Sequence, residues 1–177
     1  MKKNVMIAIS GKSGCGNTTV SKLVADSLRL RFINFTFRSL AEERDMDLIA
    51  ILDLAAKNDS IDKEVDTRQI QLARESGGCV LGSRLAIWML KEADIKIYLN
   101  ASLKTRASRI VKREGGDPDD VSVFTANRDK RDQERYLRIY GIDTNEYKFA
   151  DLIIETDNIS PQQITEMIIN KAEELCS

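Results

Sequence analysis

The chain has 177 residues, enough for one domain with a real core, and its 27 basic and 28 acidic side chains leave a net charge of -1. That balance argues against a nucleic-acid scaffold or a membrane-surface protein, so any attraction for anions must come from a few placed arginines. Histidine is absent, which removes the usual general base, and the three cysteines (Cys15, Cys79, Cys176) lack metal-site spacing. They read as reduced thiols of a cytoplasmic protein.

The chain opens MKKNVMIAIS, whose apolar run is too short for a signal peptide or a spanning helix. Residues 5–9 are apolar and β-branched, as in a strand covered on both faces. They run straight into GKSGCGNTTV at 11–20, which is nearly the phosphate-binding pattern G-x-x-x-x-G-K-[ST]. Gly11, Gly16 and Thr18 are in place, but position 17 is asparagine where the pattern has lysine. Val20, Leu23, Val24 and Leu28 then recur at helical spacing, so the loop joins a strand to a helix.

In that setting the loop from Gly11 through Lys12, Ser13, Gly14, Cys15, Gly16, Asn17, Thr18 and Thr19 is expected to curl its amides around the phosphates of a nucleotide. Thr18 is the expected ligand for Mg²⁺. Asn17 donates hydrogen bonds but carries no charge, and losing one pre-aimed donor of this kind costs about 2.7–4 kcal/mol, or roughly 10²–10³ in rate. Lys12, inside the same loop, is the candidate to restore part of that charge.

A short strand is expected at 31–34, helix over 37–76, and strands at 79–81 and 95–99. A helix at 103–112 leads to the break Gly115-Gly116-Asp117-Pro118, and a charged helix follows over 121–140, ending at Gly141. A last strand, 152–155, precedes Ser160-Pro161-Gln162-Gln163, where Ser is the N-cap and Gln completes a capping box. The alternation predicts an α/β, three-layer P-loop NTPase fold, with a five-stranded parallel sheet and helices on both faces. Residues 1–177 form one domain: a core of 1–34, 77–113 and 141–177, a helical acceptor-binding insertion at 35–76, and a lid at 114–140. Both excursions lie near the carboxyl ends of the strands, where ligands bind.

Within RDKRDQER, Arg128, Arg131, Asp132 and Arg135 fall at i, i+3, i+4 and i+7 and share one helical face. Three guanidiniums on one stripe repel one another unless they meet an anion, so the stripe reads as a lid over a phosphate chain, hinged at Gly115-Gly116. Arg38 opens the first excursion and Arg84 follows the third strand. Both overlook the loop, and an arginine fork suits a phosphate monoester.

Together these segments resemble cytidylate kinase, in particular the short archaeal-type branch of the nucleoside monophosphate kinases. The stretches that carry the resemblance are GKSGCGNTTVSKLVA, FRSLAEERDMDL, DSIDKEVDTRQ, SRLAIWML, ADIKIYLNASLKTRASRI, RDKRDQERY and YGID. The resemblance implies transfer of the ATP γ-phosphoryl group to CMP or dCMP with Mg²⁺. By the same resemblance, Arg38 grips the acceptor phosphate and Arg84 helps hold the monophosphate nucleotide. Arg128 and Arg135 are lid and acceptor-side cations, with Arg131 a further lid arginine. Asp132 helps position the acceptor, and Arg109 packs near the donor nucleotide. The expected partners are small-molecule nucleotides, without nucleic acid or membrane, and the expected state is a monomer.

Three departures stand out: Asn17; Gly82, where relatives often place an acid; and INFT at 33–36, which lacks the usual glycine turn. A nucleotide-binding protein with little or no turnover is therefore the alternative, together with a kinase for another small phosphate acceptor. Asp62 and Asp66 share a helix face, which reads equally as a contact with the acceptor base or an arginine and as a solvated surface. Tyr136, Tyr140, Trp88 and Met89 read as packing residues, and Cys15 reads as an ordinary loop thiol in preference to a site of oxidation.

Overall fold

A computed structural model describes residues 4–176, apart from the side chain of Cys176. The Lys2-Lys3 pair, Ser177 and the third thiol therefore lie outside the described residues. The strands are β1 (Met6–Gly11), β2 (Arg31–Ile33), β3 (Cys79–Gly82), β4 (Ile95–Asn100) and β5 (Leu152–Glu155). They form one parallel sheet in the order β2-β3-β1-β4-β5. Alternate side chains of β1 serve opposite faces. Ile7 and Ile9 enter a core with Val20, Val24, Ile164 and Ile168, from α1 (Asn17–Leu28) and α8 (Pro161–Cys176). Ala8 enters the other, with Ile70 and Ala73 of α4 (Asp59–Glu75) and Ala86 and Ile87 of α5 (Ala86–Met89). This is the expected three-layer architecture.

The helical stretch expected over 37–76 is three helices: α2 (Phe37–Glu43), α3 (Leu48–Lys57) and α4. Each start is capped by a side chain: Thr36 accepts from Ser39 N, Asp47 from Ile49 N, and Asn58 from Ser60 N. Phe35, Leu40, Ile51, Ile61 and Val65 give this excursion a small core of its own.

α6 (Leu103–Glu114) is followed by α7 (Pro118–Tyr140). α7 begins three residues before the expected 121, because Asp117 accepts from the amides of Asp119 and Asp120 and Pro118 suits the first turn. Its end at Gly141 (φ 66°) is as expected. The capping box at Ser160 and Gln163 is also present, reciprocal at 3.1 and 3.3 Å. Trp88 and Met89 pack against the second core, as expected. Among the described residues no helix is long and apolar enough to cross a membrane.

Candidate active site

A cleft of about 1280 Å³ opens at the carboxyl ends of the strands, and residues 11–19 form its floor. The loop is shaped by its glycines. A Cβ on Gly11 would lie 2.5 Å from both Cys15 Sγ and the Leu99 carbonyl, and one on Gly14 would lie 2.8 Å from the Arg106 carbonyl. Gly14 and Gly16 hold φ of 83° and 98°, and Gly16 caps α1 without a side chain. A helix N-terminus facing a roomy cleft suits an anion such as a triphosphate.

Thr18 is exposed in this cleft. No group of three or more acidic, His or Cys side chains that could cage a metal occurs among the described residues. A Mg²⁺ ion here would rest on Thr18, phosphate oxygens and water.

Two side chains of the loop have partners that the sequence does not announce. Asn17 turns toward the strand ends, donating to the carbonyls of Ile9 (3.0 Å) and Ser83 (3.3 Å). Lys12 Nζ reaches Asn145 Oδ1 at 3.4 Å while still lining the cleft. Cys15 is 1 % exposed, and burial pushes its thiol up to about 11. It therefore stays protonated and does not fit a site of oxidation.

Arginines surround the rest of the cleft. Arg38 and Arg128 line it and, among the described residues, make no salt bridge. Arg84 lines it too, paired with Asp132, which in turn accepts from Arg135 Nη2 at 3.2 Å. Arg135 Nη1 lies 3.2 Å from Asp62, and its Nε is buried without a partner. Desolvation, followed by the like charge of Arg84, lowers the pKa of Arg128.

Arg109 also lines the cleft, donating to the Cys15 carbonyl (3.1 Å) and to Thr156 Oγ1 (3.0 Å). It thus holds the loop from behind. Arg131 does not line the cleft; its guanidinium lies 6.0 Å from the Phe124 ring centre. The inward side of α7 is centred on Thr125, Asp129 and Tyr136, which places Arg131 at the stripe's outer edge.

Opposite the loop, α4 presents Asp62, Asp66 and Gln69. Gln69 Nε2 donates to Asp66 Oδ1 at 3.3 Å, and Gln69 Oε1 is buried without a donor. Tyr140 donates to Asp66 Oδ2 at 2.7 Å.

The Cytidylate kinase-like family matches residues 6–158. The chain belongs to this family. Among its relatives, "Cytidylate kinase 2" of Borreliella burgdorferi is 46 % identical over 166 residues, covering 92 % of each chain. "Cytidylate kinase" of Pyrococcus horikoshii is 41 % identical over 165 residues, 92 % of this chain and 85 % of the relative. The fold is shared with shikimate kinase from Bacteroides thetaiotaomicron (TM-score 0.64, 16 % identity, 98 % and 99 % coverage). It is shared also with deoxyadenosine kinase from M. mycoides (TM-score 0.57, 19 % identity, 96 % and 100 % coverage).

Two further residues bear on the cleft: Gln69 lines it, and Arg106 supports the loop from outside its lining. Arg106, 4 % exposed, donates to the Ser13 carbonyl (3.0 Å) and pairs with Asp129 (2.7 Å). The signal was an arginine on the apolar face of α6, beside Ala107 and Ile110. Gln69 gave no local signal, because its orphan oxygen is apparent only once the excursion is folded.

Burial raises the pKa of Asp66 above its ordinary value, with the Tyr140 hydroxyl opposing, and burial likewise raises that of Asp62 against the pull of Arg135. Relative to the unfolded chain, the native state therefore disfavours ionisation of Asp66, and the ionised carboxylate costs stability at any pH above its native pKa. Asp66→Asn removes that cost. The variant melts about 2–4 °C above the parent at pH 7–8, and the gap closes as pH falls toward about 4. Melting curves of both proteins across that range check this; a gap that widens on acidification contradicts it.

Proposed function

We propose that the protein transfers the γ-phosphoryl group of ATP to CMP or dCMP, acting on free nucleotides as a cytoplasmic monomer. The observation that carries this reading is the ring of guanidiniums (Arg38, Arg84, Arg128 and Arg135) lining one cleft with the glycine loop. The loop amides hold the donor phosphates, and Thr18 would hold Mg²⁺, which would supply positive charge to offset that of the phosphates. Arg38, Arg84 and Arg135 orient the acceptor phosphate, and Arg128 with Lys12 spreads the charge of the group in transfer. An acceptor phosphate oxygen forms the new P–O bond in line as the bond to the β–γ bridging oxygen breaks, and ADP leaves with that electron pair. The acceptor is already ionised, so no general base is needed and the lack of histidine is immaterial.

Cytosine carries an amino group where uracil carries a carbonyl oxygen. Gln69 lines the cleft beside Asp62 and Asp66, and its buried Oε1 has no donor, so a small shift of the side chain would offer that acceptor to a base. This favours an amino-bearing base.

A coupled ADP-release assay with ATP, Mg²⁺ and a panel of monophosphates tests the reading. Turnover of CMP above about 1 s⁻¹ is expected. Slower turnover with every acceptor returns the protein to a binding role, and another acceptor outperforming CMP redirects the substrate assignment. Gln69→Leu raises the KM for CMP roughly tenfold and narrows its advantage over UMP, as loss of one buried hydrogen bond predicts.

A further inference from the structure

Asn17 stands where the loop pattern has a lysine, and its side-chain amide is committed to backbone carbonyls at the strand ends. Nδ2 donates to the Ile9 and Ser83 carbonyls at 3.0 and 3.3 Å, and Oδ1 accepts from Ser21 Oγ at 2.8 Å. The Ile9 carbonyl also accepts from Ser83 N at 3.2 Å. One side chain thus closes a ring between the ends of β1 and β3, one residue before Arg84. Ser21 is 0 % exposed, so its hydroxyl has few alternatives to this bond.

Gly82 completes the set. A Cβ there would lie 2.6 Å from Ser21 Oγ, 2.8 Å from Ser21 Cβ and 3.1 Å from Asn17 Oδ1. The glycine at 82 and the asparagine at 17, two separate departures in the sequence, are one local arrangement. A neutral amide, a hydroxyl and an absent side chain fill the space that a lysine and an acid would otherwise share. Lysine at 17 would have no acceptor to offer Ser21.

We propose that Asn17 is a positioning residue for the acceptor side of the reaction, acting through Arg84, rather than a ligand of the donor phosphates. By holding the Ser83 carbonyl it sets where β3 ends and where the Arg84 guanidinium stands over the cleft. The residue in the donor loop's lysine position therefore governs the acceptor. The kinetic part of this inference rests on the phosphoryl-transfer reading; the structural part does not.

Melting of the apo protein gives the first test, through Asn17→Asp. Asn17 is the first residue of α1, where a negative charge ordinarily stabilises a helix. A side chain free to face the cleft would gain from that, and the melting temperature would hold or rise. In the arrangement proposed, the carboxylate instead faces two carbonyl oxygens, and the melting temperature falls by about 4 °C or more. A rise overturns the proposal.

Should Asn17→Asp fail to fold, a cycle of Asn17→Ala and Ser21→Ala decides. The Ser21→Ala effect on melting is largely lost in the Asn17→Ala background, and simple additivity overturns the proposal. Kinetics supply the readout that a merely structural role would not move. Asn17→Ala raises the KM for CMP about tenfold, while the ATP dissociation constant, measured by calorimetry without acceptor, changes less than about threefold. Weakened ATP binding with an unmoved CMP KM makes Asn17 a donor ligand and overturns the proposal. An unmutated protein that fails to phosphorylate CMP defeats the functional reading, and the two melting tests still judge the Asn17 arrangement.

Discussion

Replacing Arg128 by alanine lowers kcat by about 10³-fold, while the apo protein melts within about 2 °C of the parent. The two halves of this expectation come from one fact. Arg128 lines the cleft, is exposed, and makes no salt bridge among the described residues. Its removal therefore has little to destabilise. Its pKa is lowered by desolvation and then by the neighbouring Arg84, so the resting site holds positive charge that is not fully compensated. Phosphate charge arriving between these guanidiniums relieves that repulsion, most of all when charge is spread over the transferring group. Steady-state rates at saturating ATP and CMP, with a melting curve beside them, provide the check. A fall in kcat of less than tenfold removes Arg128 from the transfer step.

Arg106→Ala has the largest expected effect on stability, about 3–5 kcal/mol, which corresponds to a drop in melting temperature of roughly 10 °C. The guanidinium is 4 % exposed and serves three partners: the Ala101 carbonyl at 3.2 Å, the Ser13 carbonyl at 3.0 Å and the Asp129 carboxylate at 2.7 Å. Truncation leaves Asp129 beside an uncompensated hole and returns two carbonyls to no donor. That loss is a large share of the 5–15 kcal/mol that holds a typical domain together. Urea unfolding of the apo protein measures it. Adding Asp129→Asn to Arg106→Ala recovers part of the loss, since the stranded charge is then gone. A single-variant loss below about 1 kcal/mol contradicts this account.

Much of this molecule is legible in its sequence because its signals are local. The strand–loop–helix at 11–20, the capping box at Ser160 and Gln163, and the stop at Gly141 each need only neighbouring residues, and each is present. What escaped depends on distance along the chain. The direction of Asn17 is decided by Ser83, 66 residues away. The outward place of Arg131 follows from Asp129 being drawn to Arg106, 23 residues upstream. Three helices stand where one stretch was expected because Asp47 and Asn58 act as caps inside it, a role that resembles ordinary polar surface until the chain turns there. Arg106 was passed over for a related reason: a charge on an apolar face looks like an interruption, and only the folded loop reveals carbonyls waiting for it.

The long helix α7 is moored at its middle and at its C-terminal end. Near its middle, Asp129 is tied through Arg106 to the carbonyl of Ser13. Toward its end, Arg135, Arg138 and Tyr140 grip Asp62, Asp59 and Asp66 of α4. A rod fastened this way transmits displacement as a linkage does. Displacing α7 therefore pulls at once on the loop, through Arg106 and Ser13, and on the α4 wall that faces it.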